Sequence, residues 1–481
     1  MSNLKLASHQ SKSSISFTDE QRHAMDLAKA GHDLKINAFA GTGKTTTLKG
    51  IADIMSDKRG LYVAFNKANS DDAASRFPSH VECRTAHSLA YRKIGFLYQD
   101  QLKKRLNGTK TAELLNINGK VAGMTPASIG YLVMDTVQRY AQSTDQKIEA
   151  KHVPVDQLSK LESLIDKNAV KTEVVRYANK LWLMKMNKDS RTPVSHDDYL
   201  KLWSLTQPAL DADFILFDEA QDANPVMLAL IAQQNAQKIY VGDRYQQIYA
   251  WRGAVNAMKQ IDTEREASLQ QSFRFGPAVA DVANQILGLN GETGLKGLSS
   301  IQSQVQGESE PDAVICRSNS GAVSALIQQM AAKRKACLPK GAAEMAHLLE
   351  DAHRLRLGQP VVTPELALFN SWPEVVEYAE TSQGASLKPL ITLVNDYKSS
   401  LPLLTKLIWQ ASKQPPEHSD VVITTTHGAK GREWNSVQLY SDFFKPHNPA
   451  QIEAERNLLY VAVTRAKQKL DIKQCPSINR N

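Results

Sequence analysis

The sequence predicts an α/β fold in which two parallel sheets are covered by helices and each sheet carries a mainly helical insertion. Short apolar, β-rich runs alternate with longer stretches of helical periodicity, the pattern of parallel sheets covered by helices. These runs fall into groups separated by two helical blocks. The chain of 481 residues is also too long for one hydrophobic core. Each sheet is therefore expected to form the centre of its own domain.

The strands of both sheets can be predicted from apolar runs bounded by turn-forming residues. The predicted strands are residues 35–38, 61–65, 214–218, 238–242, 313–317, 421–425 and 436–440. Two polar segments, residues 302–311 and 333–341, are predicted to be loops because of their composition.

The two helical blocks divide the sheets into separate stretches of chain. Residues 91–193 are helical in pattern and rich in lysine, and residues 330–416 form a second such block. We interpret each block as an insertion. The first sheet domain then comprises residues 1–90 and 194–270, and the second comprises residues 271–329 and 417–481.

Composition narrows the class of partner and of site. The chain has 58 Lys and Arg against 50 Asp and Glu, a net charge of +8 and a calculated pI near 9.0. This balance suits a polyanionic partner without requiring one. The four cysteines lie far apart with no CxxC pair, which argues against a zinc site, an iron–sulfur cluster or a disulfide framework.

The polar N-terminus indicates where the protein is found. Its first sixteen residues lack the apolar core of a signal peptide, and no later stretch approaches the length of a membrane span. We therefore expect no membrane partner. The expected location is cytoplasmic in a prokaryote or for a phage protein, and nuclear in a eukaryote.

The segment AFAGTGKTT, residues 38–46, has the pattern of a phosphate-binding loop, with Ala38 in place of the usual first glycine. Gly41 and Gly43 let backbone amides curl round phosphates, and the following helix directs its positive end at them. Lys44 would neutralise β- and γ-phosphate charge, and Thr45 would offer a hydroxyl to Mg²⁺. The predicted ATP-binding loop residues are Ala40, Gly41, Thr42, Gly43, Lys44, Thr45 and Thr46.

The segment FILFDEAQD supplies the carboxylates that such a loop requires. Four apolar residues lead into Asp218 and Glu219, the pattern of a Walker B strand. Asp218 would hold Mg²⁺, and Glu219 would orient and deprotonate the attacking water, a role that needs an adjacent but uncoordinated carboxylate. Acidic residues often end strands, but together with the loop this pair predicts ATP hydrolysis.

Further segments resemble the motifs of the UvrD/Rep branch of superfamily 1 helicases, in the order of that family. They are FTDEQ, YVAFNKA, RTAHS, DEAQD, VGDRYQQIYAWRGA, LQQSFRF, TTHGAKGREW and EAERNLLYVAVTRA. Several of these phrases are similar to the motor part of the eukaryotic F-box DNA helicases. About sixteen residues precede the first motif, so the motor is expected here without an F-box. The resemblance implies two RecA-like domains, each with an insertion.

The same resemblance implies roles around the nucleotide. Gln21 would recognise adenine, although Thr18 and Gln21 also fit a helix capping box. Phe273 would stack on the base, or belong to the core. The other implied residues are Gln246 as a γ-phosphate sensor, Arg274 and Arg465 as arginine fingers, and Glu433 at the ribose. For both arginines, the alternative is an ordinary surface ion pair.

A motor that moves along any sequence needs aromatic faces that stack on bases and polar groups that hold phosphates. The predicted contacts with nucleic acid are Phe65, Lys67, His87, Tyr249, Trp251, Arg252 and His427. Tyr249 and Trp251 alternate, so on an extended segment they would share one face; a pair of core aromatics is the alternative.

Three functions stay open from the sequence. The first is an ATPase that translocates 3′ to 5′ on single-stranded DNA and unwinds duplex junctions, in DNA repair, recombination or replication. The second is a translocase that strips filaments, such as those of a recombinase, without net unwinding. The third is an ATP-gated DNA-binding subunit of a larger assembly, for example with a nuclease or in defence. The polarity comes from the resemblance alone.

Overall fold

A computed structural model gives the architecture. It describes residues 16–478 except 105, 107, 120–123, 155–165, 249–256, 290–292, 308–309, 339–341, 364, 368, 380–386 and 447. In this part of the chain, helices lie against two six-stranded sheets in which all neighbouring strands are parallel.

The first sheet has the strand order β3-β2-β4-β5-β1-β6. Its strands are β1 (Leu34–Ala38), β2 (Gly60–Ala64), β3 (Val81–Thr85), β4 (Phe214–Phe217), β5 (Gln237–Gly242) and β6 (Arg265–Leu269). Alternate residues enter different cores, as the period of two requires. On β2, Leu61 and Val63 join one cluster, whereas Tyr62 and Ala64 join the other. Both faces of this sheet are therefore covered.

Helices cover the first sheet and form the first insertion. They are α1 (Asp19–Lys29), α2 (Lys44–Ile54), α3 (Lys67–Arg76), α4 (Ala86–Lys93), α5 (Gly108–Leu115), α6 (Pro126–Ala141), α7 (Lys167–Met186), α8 (His196–Ser204), α9 (Pro225–Ala232) and α10 (Ala257–Gln260). Helices α5 to α7 enclose a core of their own, which includes Leu115, Val133 and Val174. The first insertion is thus packed as a separate unit.

The second sheet has the order β7-β12-β11-β8-β10-β9. Its strands are β7 (Gln304–Val305), β8 (Ala313–Cys316), β9 (Ala336–Cys337), β10 (Val421–Thr425), β11 (Trp434–Leu439) and β12 (Ala466–Asp471). The helices of this half are α11 (Pro277–Leu287), α12 (Asn319–Ala331), α13 (Ala342–Arg356), α14 (Trp372–Ala379), α15 (Lys388–Tyr397), α16 (Leu401–Lys413), α17 (Thr426–Ala429) and α18 (Pro449–Val463).

The second helical block does not have a separate core. Leu349 of α13 and Ile408 of α16 share one buried cluster with Val314 of β8 and Ile423 of β10. Helices α13 to α16 therefore complete a face of the second sheet. The domain boundaries predicted above stay a prediction, because a shared core does not fix where one unit ends.

The predicted fold class and all seven predicted strands are confirmed, with ends that differ by at most two residues. The loop predictions were wrong at Gln304–Val305 and Ala336–Cys337, which form the short edge strands β7 and β9. Strands β3, β6 and β12 were also missed. Among the described residues, no helix combines the length and apolar character that crossing a membrane would require.

Candidate nucleotide site between the two sheets

The phosphate-binding loop lies between β1 and α2 and owes its shape to two glycines. Gly41 and Gly43 adopt left-handed backbone conformations, with φ of 75° and 77°. Helix α2 starts at Lys44, directly after this turn, and is 11 residues long. Thr42 closes the turn through a hydrogen bond from its hydroxyl to the Phe39 carbonyl at 2.8 Å. Thr46 lies half-buried in the first helical turn.

Lys44 lies among carboxylates at the edge of the first sheet. Its Nζ is 3.4 Å from Glu219 Oε1, and its side chain is 12% exposed. Burial opposes its charge, but Glu219, Asp243 and Asp218 together raise the pKa of Lys44. The ammonium is therefore kept charged in a cleft that excludes most of the solvent.

Asp218 and Glu219 follow β4, and the pKa of Asp218 is raised whereas that of Glu219 is lowered. Burial and the adjacent Glu219 raise the pKa of Asp218. Burial also opposes ionisation of Glu219, but Lys44 and Lys430 outweigh it and lower the pKa of Glu219. Glu219 has a left-handed backbone, φ 53°, which is uncommon for a residue other than glycine. Its carboxylate accepts a hydrogen bond from Gln221 Nε2, which fixes its direction.

The oxygens beside Lys44 fit a hard divalent cation. Thr45 Oγ1 lies 3.4 Å from Asp218 Oδ2, so one hydroxyl and one carboxylate converge at the start of α2. Tyr62 donates its hydroxyl to the same carboxylate oxygen at 2.5 Å and holds it in place. Mg²⁺ prefers such oxygen ligands and keeps several waters, so two protein groups suffice.

Asp243, Gln221, Tyr62 and Tyr460 belong to this site, although the sequence did not reveal them. Asp243 follows β5 and is 2% exposed. Its Oδ2 accepts hydrogen bonds from Gln246 Nε2 and from the Tyr460 hydroxyl, both at 2.8 Å. That hydroxyl in turn accepts the Ala40 amide at 2.9 Å. The phosphate-binding loop, the predicted sensor Gln246 and helix α18 are thereby joined. An aspartate directly after a buried strand, in VGD, was the available signal for Asp243.

Arg465 follows α18 and is 1% exposed. Its Nε donates to the Val461 carbonyl at 2.8 Å and its guanidinium to Thr464 Oγ1 at 3.0 Å. No carboxylate of the described residues lies within ion-pair distance, so the alternative of a surface ion pair is wrong for Arg465. Burial and the nearby Arg274 lower the pKa of Arg465 to about 9. A buried cation without an acidic partner is costly, which makes this position suited to an anion.

Arg274 lies closer to solvent and has an acidic partner. Its Nε is 2.6 Å from Glu433 Oε2, and a second nitrogen donates to the Thr464 carbonyl at 3.1 Å. The structure thus brings together the predicted ribose residue and one predicted arginine finger. The preceding Phe273 is 43% exposed, so it is not a core residue. Its amide donates to the Gly41 carbonyl at 2.8 Å, which holds it beside the loop.

Gln21 is part of the capping box of α1 and also lies beside the phosphate-binding loop. Its side-chain Oε1 accepts a hydrogen bond from the backbone amide of Thr18 at 3.0 Å, and its backbone amide donates to Thr18 Oγ1. The capping box is therefore present. Its Nε2 donates to Thr47 Oγ1 at 3.2 Å, next to Gly43. Recognition of adenine by Gln21 stays a prediction.

Comparisons with known proteins agree with this geometry. The model of an AAA domain matches residues 21–252, and that of the UvrD-like helicase C-terminal domain matches residues 375–477. F-box DNA helicase protein 1 of Schizosaccharomyces pombe is 32% identical over 94% of this chain and 57% of its own length. The chain belongs to the UvrD-like helicases.

Other UvrD-like relatives match in the same way or over shorter stretches. F-box DNA helicase 1 of Gallus gallus is 31% identical over 96% of this chain and 50% of its own length. ATP-dependent DNA helicase PcrA of Leuconostoc citreum is 32% identical over 17% of this chain and 12% of its own length. The predicted family resemblance is confirmed. The chain spans about half the length of the F-box relatives.

The first three residues predicted to contact nucleic acid lie where strands end. Phe65 follows β2, Lys67 starts α3 and pairs with Asp71, and His87 lies in the first turn of α4 after β3. His87 Nε2 is 2.9 Å from Asp197 Oδ1. All three follow neighbouring strands of the first sheet, at its carboxyl edge.

Of the remaining predicted contacts, the structure describes His427 but not the other three residues. His427 follows β10 of the second sheet, and its Nε2 donates to the Ile248 carbonyl at 2.9 Å. That nitrogen is therefore committed to the protein backbone, which the sequence did not predict. Tyr249, Trp251 and Arg252 lie outside the described residues.

Proposed function

We propose that the chain is an ATP-driven motor that translocates 3′ to 5′ along single-stranded DNA and separates duplexes. One observation carries the proposal: Lys44, Asp218 and Glu219 of the first sheet face a cleft toward which the second sheet contributes the buried Arg465. Arg465, which has no acidic partner among the described residues, and Lys44, which is paired with Glu219, lie on opposite sides of this cleft. Two such cations are the elements needed to bind a γ-phosphate.

Within this site each residue has a distinct task. The amides of Gly41 and Gly43 and the Lys44 ammonium bind phosphate oxygens. Thr45 and Asp218 hold Mg²⁺, which supplies charge neutralisation at the phosphates. Glu219 has a lowered pKa and is therefore ionised at neutral pH, so it can orient a water molecule and accept its proton. Gln21 and Phe273 contact the adenine, and Glu433 contacts the ribose.

Movement follows from the division of the site between two sheets. Arg274 and Arg465 belong to the second sheet unit, whereas Lys44 and Glu219 belong to the first. A γ-phosphate held by both sets draws the sheets together, and its release lets them part. A strand bound across both carboxyl edges is then gripped alternately and pulled. We propose residues 1–90 with 194–270 and residues 271–329 with 417–481 as the two moving units.

DNA as the track is supported by the names of the relatives, two of which are F-box DNA helicases. A strand-displacement assay with defined tails tests both track and direction. We expect unwinding from a 3′ single-stranded tail. Unwinding from 5′ tails alone would contradict the polarity, and stimulation of ATP turnover by RNA but not DNA would contradict the substrate.

Lys44→Ala tests the ATP site itself. We expect ATP turnover to fall by at least about a thousandfold, while ATP-independent binding of DNA is retained. Lys49→Ala is the matched control, because Lys49 lies on the same helix and pairs with Asp53 at its surface. Unchanged turnover in Lys44→Ala would overturn the assignment of the site.

A second candidate function is removal of protein filaments from single-stranded DNA without net unwinding. This alternative comes from the resemblance to F-box DNA helicases, to which the chain is similar over almost its whole length. Fast removal of a recombinase filament together with slow strand displacement would support it. Dependence on a nuclease or another partner would instead appear as ATP turnover that requires the added partner.

A further inference from the structure

Three side chains of the second sheet unit hold three successive carbonyls of the first. Lys430 Nζ donates to the Gln246 carbonyl at 2.8 Å, Asn457 Nδ2 to the Gln247 carbonyl at 3.2 Å, and His427 Nε2 to the Ile248 carbonyl at 2.9 Å. We call this set of three contacts the carbonyl clasp. Because each carbonyl has a different partner, the clasp fixes the path of the backbone in this segment, not only its distance from the second sheet.

The carbonyl clasp adjoins the nucleotide site. Gln246 donates its side chain to Asp243, which also accepts the Tyr460 hydroxyl. Asn457 and Tyr460 are three residues apart on α18, so they lie on one face of that helix. The same rigid helix therefore contacts the phosphate-binding loop through Tyr460 and the Gln247 carbonyl through Asn457. A displacement of α18 must act on both.

Only one end of the Asn457 side-chain amide has a hydrogen-bond partner in the described part of the chain. Its side chain is buried, the residue being 2% exposed, and its Oδ1 has no hydrogen-bond partner within the described residues. An unpaired buried amide oxygen costs free energy, which a leucine of similar size would avoid. The bond that its Nδ2 makes across the two sheets offsets this cost.

Lys430 gives the clasp a charged anchor. Its Nζ also binds Asp222, which follows Asp218 and Glu219 in the chain and has a completely buried side chain. One ammonium thus joins the segment after β4 to the carbonyl of the predicted sensor Gln246. Since Lys430 is 11% exposed, solvent screens this contact little.

We propose that Asn457 is a positioning residue that, within the carbonyl clasp, transmits movement of the second sheet to residues 246–248. This inference rests on the proposed function. Residues 246–248 continue directly into 249–252, which contain three of the predicted DNA contacts. ATP-dependent movement of α18 then displaces the backbone of residues 246–248. Asn457 acts in this proposal through the Gln247 carbonyl.

Asn457→Leu tests this role in the full chain. We expect the ratio of ATP turnover with single-stranded DNA to turnover without it to fall about tenfold, with the KM for ATP changed less than about twofold. Asn284→Leu is the matched control, because Asn284 is a buried asparagine of the same half whose Nδ2 donates to the Leu295 carbonyl at 2.9 Å. That contact stays within the second sheet unit, so the ratio should be retained.

Hydrogen exchange supplies a readout that does not depend on DNA. In the unaltered protein, a non-hydrolysable ATP analogue should change amide exchange in residues 244–248, and Asn457→Leu should abolish that change. Asn457→Ala provides the same test if the leucine variant does not fold.

The possible failures are distinguishable. An unaltered protein that binds nucleotide but is not stimulated by DNA would contradict the proposed function and leave the exchange experiment to decide on the clasp. A folded Asn457 variant whose stimulation ratio and exchange response both equal those of the unaltered protein would overturn the clasp proposal. Equal losses in Asn457→Leu and Asn284→Leu would also overturn it, because they would indicate general loosening of the second sheet unit.

Discussion

The Tyr460 hydroxyl donates a hydrogen bond to Asp243 at 2.8 Å across the cleft between the two sheets. It also accepts the Ala40 amide of the phosphate-binding loop. Burial and Asp243 raise the pKa of Tyr460 well above its usual value, so the hydroxyl keeps its proton at any physiological pH. A neutral group that both donates and accepts thus joins the loop of one sheet to the helix of the other.

Tyr460→Phe should weaken ATP use more than it weakens the fold. The change leaves the buried Ala40 amide without its partner, which costs about 1–3 kcal/mol. We expect kcat/KM for ATP to fall by about tenfold to a hundredfold, because the loop loses the contact that fixes its first amide. Steady-state ATP turnover and urea unfolding measure the two effects.

Tyr98→Phe is the control for this change. The Tyr98 hydroxyl donates to the Met186 carbonyl at 2.9 Å, far along the chain from the nucleotide site. It should lower stability by about 1 kcal/mol without altering kcat/KM. An equal fall of kcat/KM in both variants would mean that the Tyr460 bond matters for folding alone.

Arg465→Met should separate function from stability. Replacing a buried, acid-free guanidinium removes a desolvated charge, which offsets the lost contacts with the Val461 carbonyl and Thr464. We therefore expect the free energy of unfolding without nucleotide to change by less than about 1 kcal/mol. ATP turnover should fall by about 10³-fold or more, the loss expected on removal of an arginine finger.

Arg317→Met gives the contrasting result. Arg317 forms a two-pronged contact with Glu455, whose side chain is 7% exposed. Its removal leaves a buried carboxylate unpaired, and we expect a loss of about 3 kcal/mol. If Arg465→Met destabilised the protein as much as Arg317→Met, Arg465 would have a structural role.

The pH profile of ATP turnover should report Asp218. Burial and Glu219 raise the pKa of Asp218 to about 6, and the Tyr62 hydroxyl opposes that rise by stabilising the carboxylate. In the proposed function the ionised form binds Mg²⁺, so kcat/KM should fall as pH drops through about 6. Removing the hydroxyl in Tyr62→Phe disfavours the carboxylate and raises the pKa further. The acid limb should therefore move to higher pH by about half a unit to one unit.

The measurement is kcat/KM for ATP between pH 5 and 8 at saturating Mg²⁺, in steps of about half a unit. Tyr98→Phe again serves as the control and should leave the limb in place. An acid limb that moved to lower pH in Tyr62→Phe would contradict the sign of this interaction.

The sequence predicted those parts of the site that consist of particular residue types at fixed spacing along the chain. The loop around Lys44 and the pair Asp218 and Glu219 depend on neighbours along the chain, so their motifs identify them. Tyr460 lies within an apolar run and resembles a core residue. Its partner Asp243 is 217 residues away, and only the packing of the two sheets brings them together.

Four of the five strands that were missed lie at sheet edges. Strands β3 and β6 are the edges of the first sheet, and β7 and β9 are the edges of the second. Edge strands are covered less completely and need fewer apolar residues. The fifth, β12, lies inside the second sheet beside the two-residue β7, and Lys467, Gln468 and Lys469 interrupt its apolar pattern. Periodicity therefore missed every edge strand and this one interior strand.

Gly41→Ala tests how closely the second sheet packs on the phosphate-binding loop. Gly41 has φ of 75°, and an added Cβ would lie 2.5 Å from Ser272 Oγ and 2.8 Å from Arg274 Cβ. Gly31 has φ of 90° with nothing within 4 Å of an added Cβ, so Gly31→Ala introduces backbone strain alone. That strain should cost about 1–2 kcal/mol in each variant. Gly41→Ala should additionally raise the KM for ATP by about tenfold or more, because Ser272 and Arg274 must move away from the loop.

Urea unfolding of both variants measures the cost of the backbone strain, and steady-state kinetics measure the KM for ATP. Equal KM values would mean that residues 272–274 do not press on the loop when the protein turns over.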